Sequence, residues 1–491
     1  TTILAIAPST LNKQVIWVGT DDGNVQITRD GGTTWSNQSA SMNGLPKNSW
    51  IPQIHVSEYQ DGEAWVVANN YRRNDYNPYL YYTADYGKSW KRMADVSSVK
   101  GFVLSFVQDH KQPNLCFLGT DVGLYVSFDK GNKWHHWNPG FPQVQVNDMK
   151  IHKVEDDLIL GTFGRALWIL DDINPLRELA KQGEKILTSD IKMLETAPGY
   201  LVSYRSYDGV RFSGQGEFKG DNKTYDRVAF NVWIKPSGDK TKTEKDDDKK
   251  PKAKLTIFDN KGSVIRTMQR KVDDGLNRLA WGLETDGQRF FSRNEPKEDE
   301  DLPGGYDVLP GKYKAVFALG DKKDSIEVEV KTDPRSKMTD EDIKLIQRAL
   351  DDHNAIIKEA KTSFDKLKDA KKSISIVDKI LENQPDSISK SFKTLHKSLN
   401  GQIDSLMNLF VGPEQQKGIQ RNPDQLNSTL YQASSYIMSS WTAPGANATN
   451  AVEKAKWLTE KLSKAVDAFL EKDWSEYKTK ASSLEVKIFK E

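Results

Sequence analysis

The chain has 491 residues, 70 basic against 69 acidic side chains and a net charge of +1, so it generates no global field that would gather nucleic acid or anionic lipid, and neither is an expected partner. The length exceeds what one core supports and predicts about three domains. The single cysteine, Cys116, forms no intrachain disulfide or zinc site; within the apolar run LCFLG it reads as a buried core thiol.

The chain opens TTILAIAPST, with no initiator Met and no basic segment of a signal peptide, which reads as a processed or truncated start. No stretch approaches roughly 18 consecutive apolar residues, so no transmembrane segment is expected. Thirteen Trp and seventeen Tyr beside one Cys suit a bacterial protein that is secreted, surface-bound or periplasmic, and the same composition also fits a cytosolic one.

From residue 1 to about 178 one pattern recurs. The frame [ST]-x-D-x-G-x-x-W occurs as Thr28, Asp30, Gly32 and Trp35, as Thr83, Asp85, Gly87 and Trp90, and as Ser127, Asp129, Gly131 and Trp134. The aspartates are 55 and then 44 residues apart, and an insertion, NNYRRNDYNPYL, accounts for the longer gap. A second phrase, VGTDDGNVQIT at Val18, returns as LGTDVGLYVSF at Leu118 and as LGTFGRALWIL at Leu160. This last introduces a fourth, degenerate copy in which Asp171 falls 10 residues after Gly161, as Asp129 does after Gly119. Each copy reads as short alternating strands broken by turns. In the frame, Gly supplies a turn with φ > 0, Asp accepts turn amides, the hydroxyl adds a bond and Trp packs between copies. These aspartates therefore read as structural, because the turn consumes their acceptors.

The three frames resemble the Asp box, or bacterial neuraminidase repeat, of β-propellers in sialidases, xyloglucanases and sortilin-type receptors. That resemblance implies blades of about 40 to 50 residues, with the boxes on the rim away from the central channel. Four units are few for such propellers and would expose two sheet edges, so the remaining blades are expected before Thr1, on the same gene product or a separate chain. A compact four-bladed ring is the lesser alternative.

Pro175 and the polar run after it mark a boundary. From 189 to 334 the strand pattern returns, interrupted at 237–252 by SGDKTKTEKDDDKKPK, an expected disordered loop. This region resembles the Ig-like β-sandwich of hook-cap proteins and secreted-enzyme tails; turns at Asn260-Lys-Gly262 and Pro310-Gly311 support a sandwich, and Trp281 reads as core. From Met338 the period becomes helical. Thr339 and Asp342 have capping-box spacing, and apolar residues at 343, 346, 350, 356, 357, 364 and 367 share a face. Further amphipathic runs near Ser387–Phe410, Pro423–Ser440 and Ala448–Leu470 predict a helical bundle over 338–484, its ends sealed by Trp441, Trp457, Phe469, Trp474 and Tyr477. The fold class is therefore multidomain: a partial all-β propeller, an Ig-like β-sandwich, then an α-helical bundle. This order resembles the C-terminal half of large secreted bacterial glycosyl-hydrolase-like repeat proteins.

For chemistry, seven scattered histidines, His135-His136 among them, form no metal-ligand motif, and no nucleophile elbow, P-loop or dinucleotide fingerprint occurs; no metal or cofactor is expected. A sialidase-like site would need an arginine triad, and the blades hold Arg29, Arg72, Arg73, Arg92 and Arg165, Arg29 lying inside a box. An inverting xyloglucanase-like site needs two carboxylates about 6.5–9.5 Å apart, and no motif marks either. The candidate ligand-binding residues are Tyr71, Arg72, Arg73, Asp75, Tyr76 and Tyr79 in the insertion, with Asp21, Asp22, Asp121, Asp148 and Arg165 in the turns; packing of the insertion over a blade is the alternative. The expected function is recognition of a glycan or protein ligand, with a glycoside hydrolase completed by blades before residue 1 as the alternative. A sortilin-like receptor is a weaker reading, since it would need a Cys-rich module.

Overall fold

A computed structural model describes residues 1–138, 140–183, 185–202, 227–236, 250–297, 300–382, 385–414, 425–439 and 442–484. Most of the charged run expected to be disordered, and Trp441, lie outside the described residues.

The first 170 residues fold as a propeller-like succession of small antiparallel sheets, each a meander of neighbouring strands. Unit 1 is β1 (Ile3–Pro8), β2 (Ile16–Thr20), β3 (Val25–Thr28) and β4 (Ser36–Asn37). Unit 2 is β5 (Trp50–Val56), β6 (Ala64–Asn70), β7 (Asp75–Thr83) and β8 (Lys91–Ala94). Unit 3 is β9 (Val103–Gln108), β10 (Cys116–Thr120), β11 (Gly123–Ser127) and β12 (His135–His136). Unit 4 has three strands, β13 (Val146–Ile151), β14 (Leu158–Thr162) and β15 (Leu167–Leu170). The first strands of successive units lie side by side.

Strand alternation explains the stacking, because successive side chains point to opposite faces. Each unit sends one set toward its predecessor and one toward its successor, giving three separate apolar layers. Trp17, Val25 and Ile27 meet Ile51, Ile54 and Tyr81 between units 1 and 2. Trp65 and Leu80 meet Phe106, Cys116 and Trp134 between units 2 and 3. Phe117, Leu124 and Val126 meet Met149, Leu158 and Leu160 between units 3 and 4. Cys116 is fully buried, and burial holds its thiol pKa well above the ordinary value.

The insertion NNYRRNDYNPYL is the tip of the β6–β7 hairpin, which runs longer than its counterparts and turns through a 3₁₀ segment, Tyr71–Arg73. The fourth copy also differs in register. Gly161 pairs with Leu167 where Gly119 pairs with Leu124, so its hairpin holds one more residue. The box aspartate position therefore falls on Asp172 rather than Asp171, and Asp172 accepts from Asn174 and Asn231.

Beyond unit 4, α1 (Asn174–Gln182) packs Ile173 and Ala180 into the layer between units 3 and 4. The short α2 (Lys185–Thr188) follows. Two further sheets share one core: β16 (Ile191–Met193), β18 (Val228–Ile234) and β21 (Gly275–Trp281) face β17 (Gly199–Leu201), β19 (Lys252–Phe258), β20 (Val264–Lys271), β24 (Gly311–Leu319) and β25 (Lys322–Thr332). Trp281 is fully buried between them. β22 (Glu284–Asp286) and β23 (Gly304–Asp307) form a separate hairpin. Gly262 turns the β19–β20 hairpin with φ 81°. Pro310-Gly311 instead links β23 to β24, and the hairpin turn lies at Gly320.

The remainder is helical: α3 (Asp340–Leu381), α4 (Asp386–Val411), α5 (Leu426–Met438), α6 (Ala446–Glu471) and α7 (Asp473–Ser482). Thr339 and Asp342 form a reciprocal capping box. Ile357, Phe364 and Leu367 are buried with Phe410, Leu430 and Val466. Phe469, Trp474 and Tyr477 join that core, whereas Trp457 is exposed beneath Lys461. No helix among the described residues is long and apolar enough to cross a membrane.

Candidate functional site

The meander gives each of the first four sheets two ends. At one end lie the turns after first and third strands; at the other lie the turns after second strands together with the starts of first strands. The chemistry of the two ends differs.

All three repeated frames occupy the first end, and each is a closed hydrogen-bond set. In the first, Thr28 Oγ1 donates to Asp30 Oδ1 at 2.7 Å, while Gly32 N donates back to that hydroxyl at 2.9 Å. Thr34 then donates from N and Oγ1 to the same carboxylate, at 2.9 and 2.6 Å. Thr83, Asp85, Gly87 and Ser89 repeat this at 2.8, 3.0, 3.0 and 2.6 Å. Ser127, Asp129, Gly131 and Lys133 N repeat all but the last bond. These hydrogen bonds, those from Thr34 first, pull the Asp30 pKa down to about 2, and Ser89 likewise lowers Asp85. Trp90 reaches Trp17 of the unit before it, edge-on at 6.0 Å, and Trp134 donates to Met93 O of its predecessor at 2.9 Å. Sequence reasoning missed that the residue before the glycine is also left-handed: φ is 72° at Gly31, 61° at Tyr86 and 64° at Lys130.

The other end carries the candidate ligand residues. Three are spoken for by turn structure. Asp21 accepts from Thr2 N at 2.7 Å and Asp121 from Phe102 N at 2.9 Å, each fastening the start of its unit's first strand. Burial raises the Asp121 pKa. Asp22 accepts from Thr20, Thr1 and Asn24, and those bonds, Thr20 foremost, bring its pKa to about 2. Asp148 lies within strand β13, paired with Gly161, rather than in a turn, and Arg165 lies in the turn between β14 and β15; both are exposed on unit 4.

The β6–β7 tip gathers the rest. The Arg72 guanidinium lies 3.3 Å from the Trp50 ring centroid and 4.5 Å from that of Tyr71, and Tyr71 stacks on Phe102 of unit 3 at 4.4 Å. Such cation–π and stacked contacts hold a guanidinium in place without consuming all its donors. Arg73 donates to Asn48 O at 2.6 Å. Asp75 accepts from Tyr79 Oη at 2.8 Å and from Asn77; burial works to raise its pKa, yet these bonds hold it below the ordinary value. Tyr79 is buried under Arg92, whereas Tyr76 stands exposed, its ring centroid 6.1 Å from that of Phe102. Trp50 and Phe102 went unmarked in the sequence because neither lies in a motif; a Trp directly after the turn residues of NGLPKNS was the available signal.

The five blade arginines do not converge. Arg29 lies over Tyr86 at the box end, at 3.9 Å, and Arg92 is spent on Ala94 O and Pro78 O. Among the described residues no group of three His, Cys, Asp or Glu is arranged to hold a metal. A cleft of about 1070 Å³ lies between residues 287–306 and α3 and α5, but its charges largely neutralise each other, with Glu295 on Lys368 and Glu300 on Arg289.

No known family profile matches the sequence. The chain is 27% identical over 160 residues to a probable oligoxyloglucan-reducing end-specific xyloglucanase of Neosartorya fischeri, a match covering 30% of this chain and 18% of that protein. This chain thus spans under a fifth of that relative's length. Among solved structures, an ancestral GH74 enzyme is 16% identical with a TM-score of 0.28, covering 55% of this chain and 33% of that one. YCF48 from Cyanidioschyzon merolae is 16% identical with a TM-score of 0.26, covering 65% and 94%. TM-scores this low fix neither fold nor function.

Proposed function

We propose that the four units are part of an Asp-box β-propeller that recognises a glycan at the end opposite its boxes, and that the two-sheet layer, Ig-like in type, and the helical bundle are non-catalytic appendages. The observation that carries this reading is the Trp50–Arg72–Tyr71–Phe102 cluster, with Tyr76 exposed beside it. Flat aromatic faces beside fixed polar donors suit a sugar ring, which presents apolar C–H faces and equatorial hydroxyls. The likeness to a xyloglucanase supports a β-glucan oligosaccharide as the ligand class, and with it we read the protein as secreted, surface-bound or periplasmic.

A second reading, a glycoside hydrolase, rests on that likeness together with exposed Asp148. Its second carboxylate would come from blades beyond the four, since inversion needs a spaced pair. Titration calorimetry with xyloglucan oligosaccharides, run beside an assay for new reducing ends, separates the two. Binding without turnover, weakened at least tenfold by Tyr76→Ala and by Arg72→Ala, is the expected result. Turnover would favour the hydrolase, and the absence of both binding and turnover would remove the glycan reading.

A further inference from the structure

The cleft of about 1070 Å³ between residues 287–306 and the facing sides of α3 and α5 lies far along the chain from the hairpin tip. Ligand pockets typically run to about 300–1,000 Å³, so its size admits more than a single small ring. Its outer wall is held in place. Phe291 is 3% exposed, and its ring centroid lies 5.4 Å from those of both Phe364 and Phe410 in the bundle core. Arg293 donates to Asn408 Oδ1 at 2.8 Å and to Gly412 O at 2.9 Å, and Glu295 pairs with Lys368 at 2.8 Å. Farther on, Arg266 donates to Leu302 O and Pro303 O, each at 2.9 Å. A ligand entering here meets a wall that is already formed, which lowers the ordering cost of binding.

The charges in the cleft cancel among themselves. Lys361 pairs with Asp365, Lys368 with Glu295, Arg289 with Glu300 and Asp301 with Arg270. No unpaired cation is left among these groups to draw in an anion. The uncharged polar groups behave differently. Asn354 on α3 and Asn427, Tyr431 and Ser434 along one face of α5 line the cleft, and none of their side chains makes a hydrogen bond among the described residues. Asn427 is the informative one, because its Oδ1 is buried and has no donor. Buried carbonyl oxygens are almost always paired, so a lone one on a cavity wall marks a place for a donor from outside the chain. The same wall carries an aromatic platform. Phe290 and Tyr431 stack with centroids 4.2 Å apart and planes 5° apart, and Tyr431 is 54% exposed. Leu350 and Ile357 supply buried apolar surface beside it.

We infer that this cleft is a second binding site, for a neutral saccharide of about two or three rings. The C–H face of one ring lies on Tyr431, a hydroxyl donates to Asn427 Oδ1, and other hydroxyls bond to Asn354 and Ser434. Balanced charge, unused carboxamides and a flat aromatic face together fit an uncharged, hydroxyl-rich ligand better than a charged one. The site is separate from the hairpin tip and stands whether or not the tip binds a glycan.

The test uses the whole chain with cellotriose, maltotriose and mannotriose, followed by calorimetry and amide exchange, with trigalacturonate as the anionic control. At least one neutral trisaccharide is expected to slow exchange in Leu426–Met438 and over residues 287–296. Tyr431→Ala and Asn427→Leu should each weaken that binding at least tenfold, whereas Tyr76→Ala at the hairpin tip should leave it unchanged. Asn427→Leu nearly keeps the volume and removes an acceptor that no protein group uses, so exchange in α5 of the unliganded chain should not accelerate. Any of four results overturns the inference: no cleft protection from the three sugars up to about 20 mM, where a millimolar Kd is saturated; protection at the hairpin tip alone; trigalacturonate binding the cleft as tightly as the neutral sugars; or an Asn427→Leu chain that binds as before or loosens α5 without ligand.

Discussion

Removing the Arg177 side chain is expected to loosen unit 4 more than any other single polar deletion in the first four sheets. Its guanidinium grips Asp109 through Nε and Nη2 at 2.8 and 2.7 Å, and through Nη1 reaches Asn174 and Asp156, each at 2.8 Å. Arg177 is 5% exposed and Asp109 fully buried, so the pair is shielded from water. Arg177→Ala leaves the Asp109 carboxylate with the amides of Lys111 and Gln112 as its remaining donors. Stranding one member of a buried pair costs about 3–5 kcal/mol. The cost falls on the α1 contact with units 3 and 4, so amide exchange in β13 and β14 should accelerate by roughly 10²–10⁴-fold. Exchange is preferred to a global unfolding curve because separate domains unfold in separate steps. Adding Asp109→Leu to Arg177→Met should restore most of the protection, since the loss comes from the stranded charge. Acceleration of less than fivefold in Arg177→Ala, or no recovery in the double variant, would refute the claim that this pair latches the helix to the sheets.

Asp85→Ala removes three bonds of the second box and is expected to cost about 2–3 kcal/mol in unit 2, measured by local exchange, while leaving oligosaccharide affinity unchanged. Gly119→Ala drives a Cβ to within 2.7 Å of Val146 O, so it should open the contact between units 3 and 4; Gly161→Ala, with open space, should be tolerated, and equal losses in the two would contradict the register comparison. His55 accepts from Gln108 N, and burial, with Lys150 adding and Glu58 opposing, pushes its pKa down to about 4. The unfolded chain titrates this group near 6.5, so its contribution is fully present above that pH and is lost as pH falls toward 4, by roughly 3 kcal/mol in all. His55→Gln should flatten this acid limb of a stability–pH curve.

The sequence displayed those features whose cause is local. Box turns carry their own acceptors, and the α3 cap needs only Thr339 and Asp342, so both were legible. Layer-forming residues such as Trp281 and Phe364 were legible from alternation and helical period. Features that depend on strands distant in the sequence were not. Asp21 and Asp121 resemble ligand carboxylates in sequence, but each is occupied by a backbone amide brought in from the start of the first strand, about 19 residues away in sequence. Trp50 meets the hairpin tip within unit 2 and Phe102 meets it from unit 3, contacts that no spacing encodes. The shift from Asp171 to Asp172 follows from one extra turn residue, visible once the strands are paired. Trp457 has helical spacing suited to a core yet lies on the solvent face under Lys461, because amphipathic period alone leaves the edge of the apolar stripe undefined.

The most direct test of the recognition reading is the exchange footprint of a bound xyloglucan oligosaccharide on the whole chain. Slowed exchange is expected at Trp50, over Tyr71–Asn77 and around Phe102, with none at the three box turns. Protection at the box turns, in the cleft beside α3 and α5, or across the helices without the hairpin tip would contradict it.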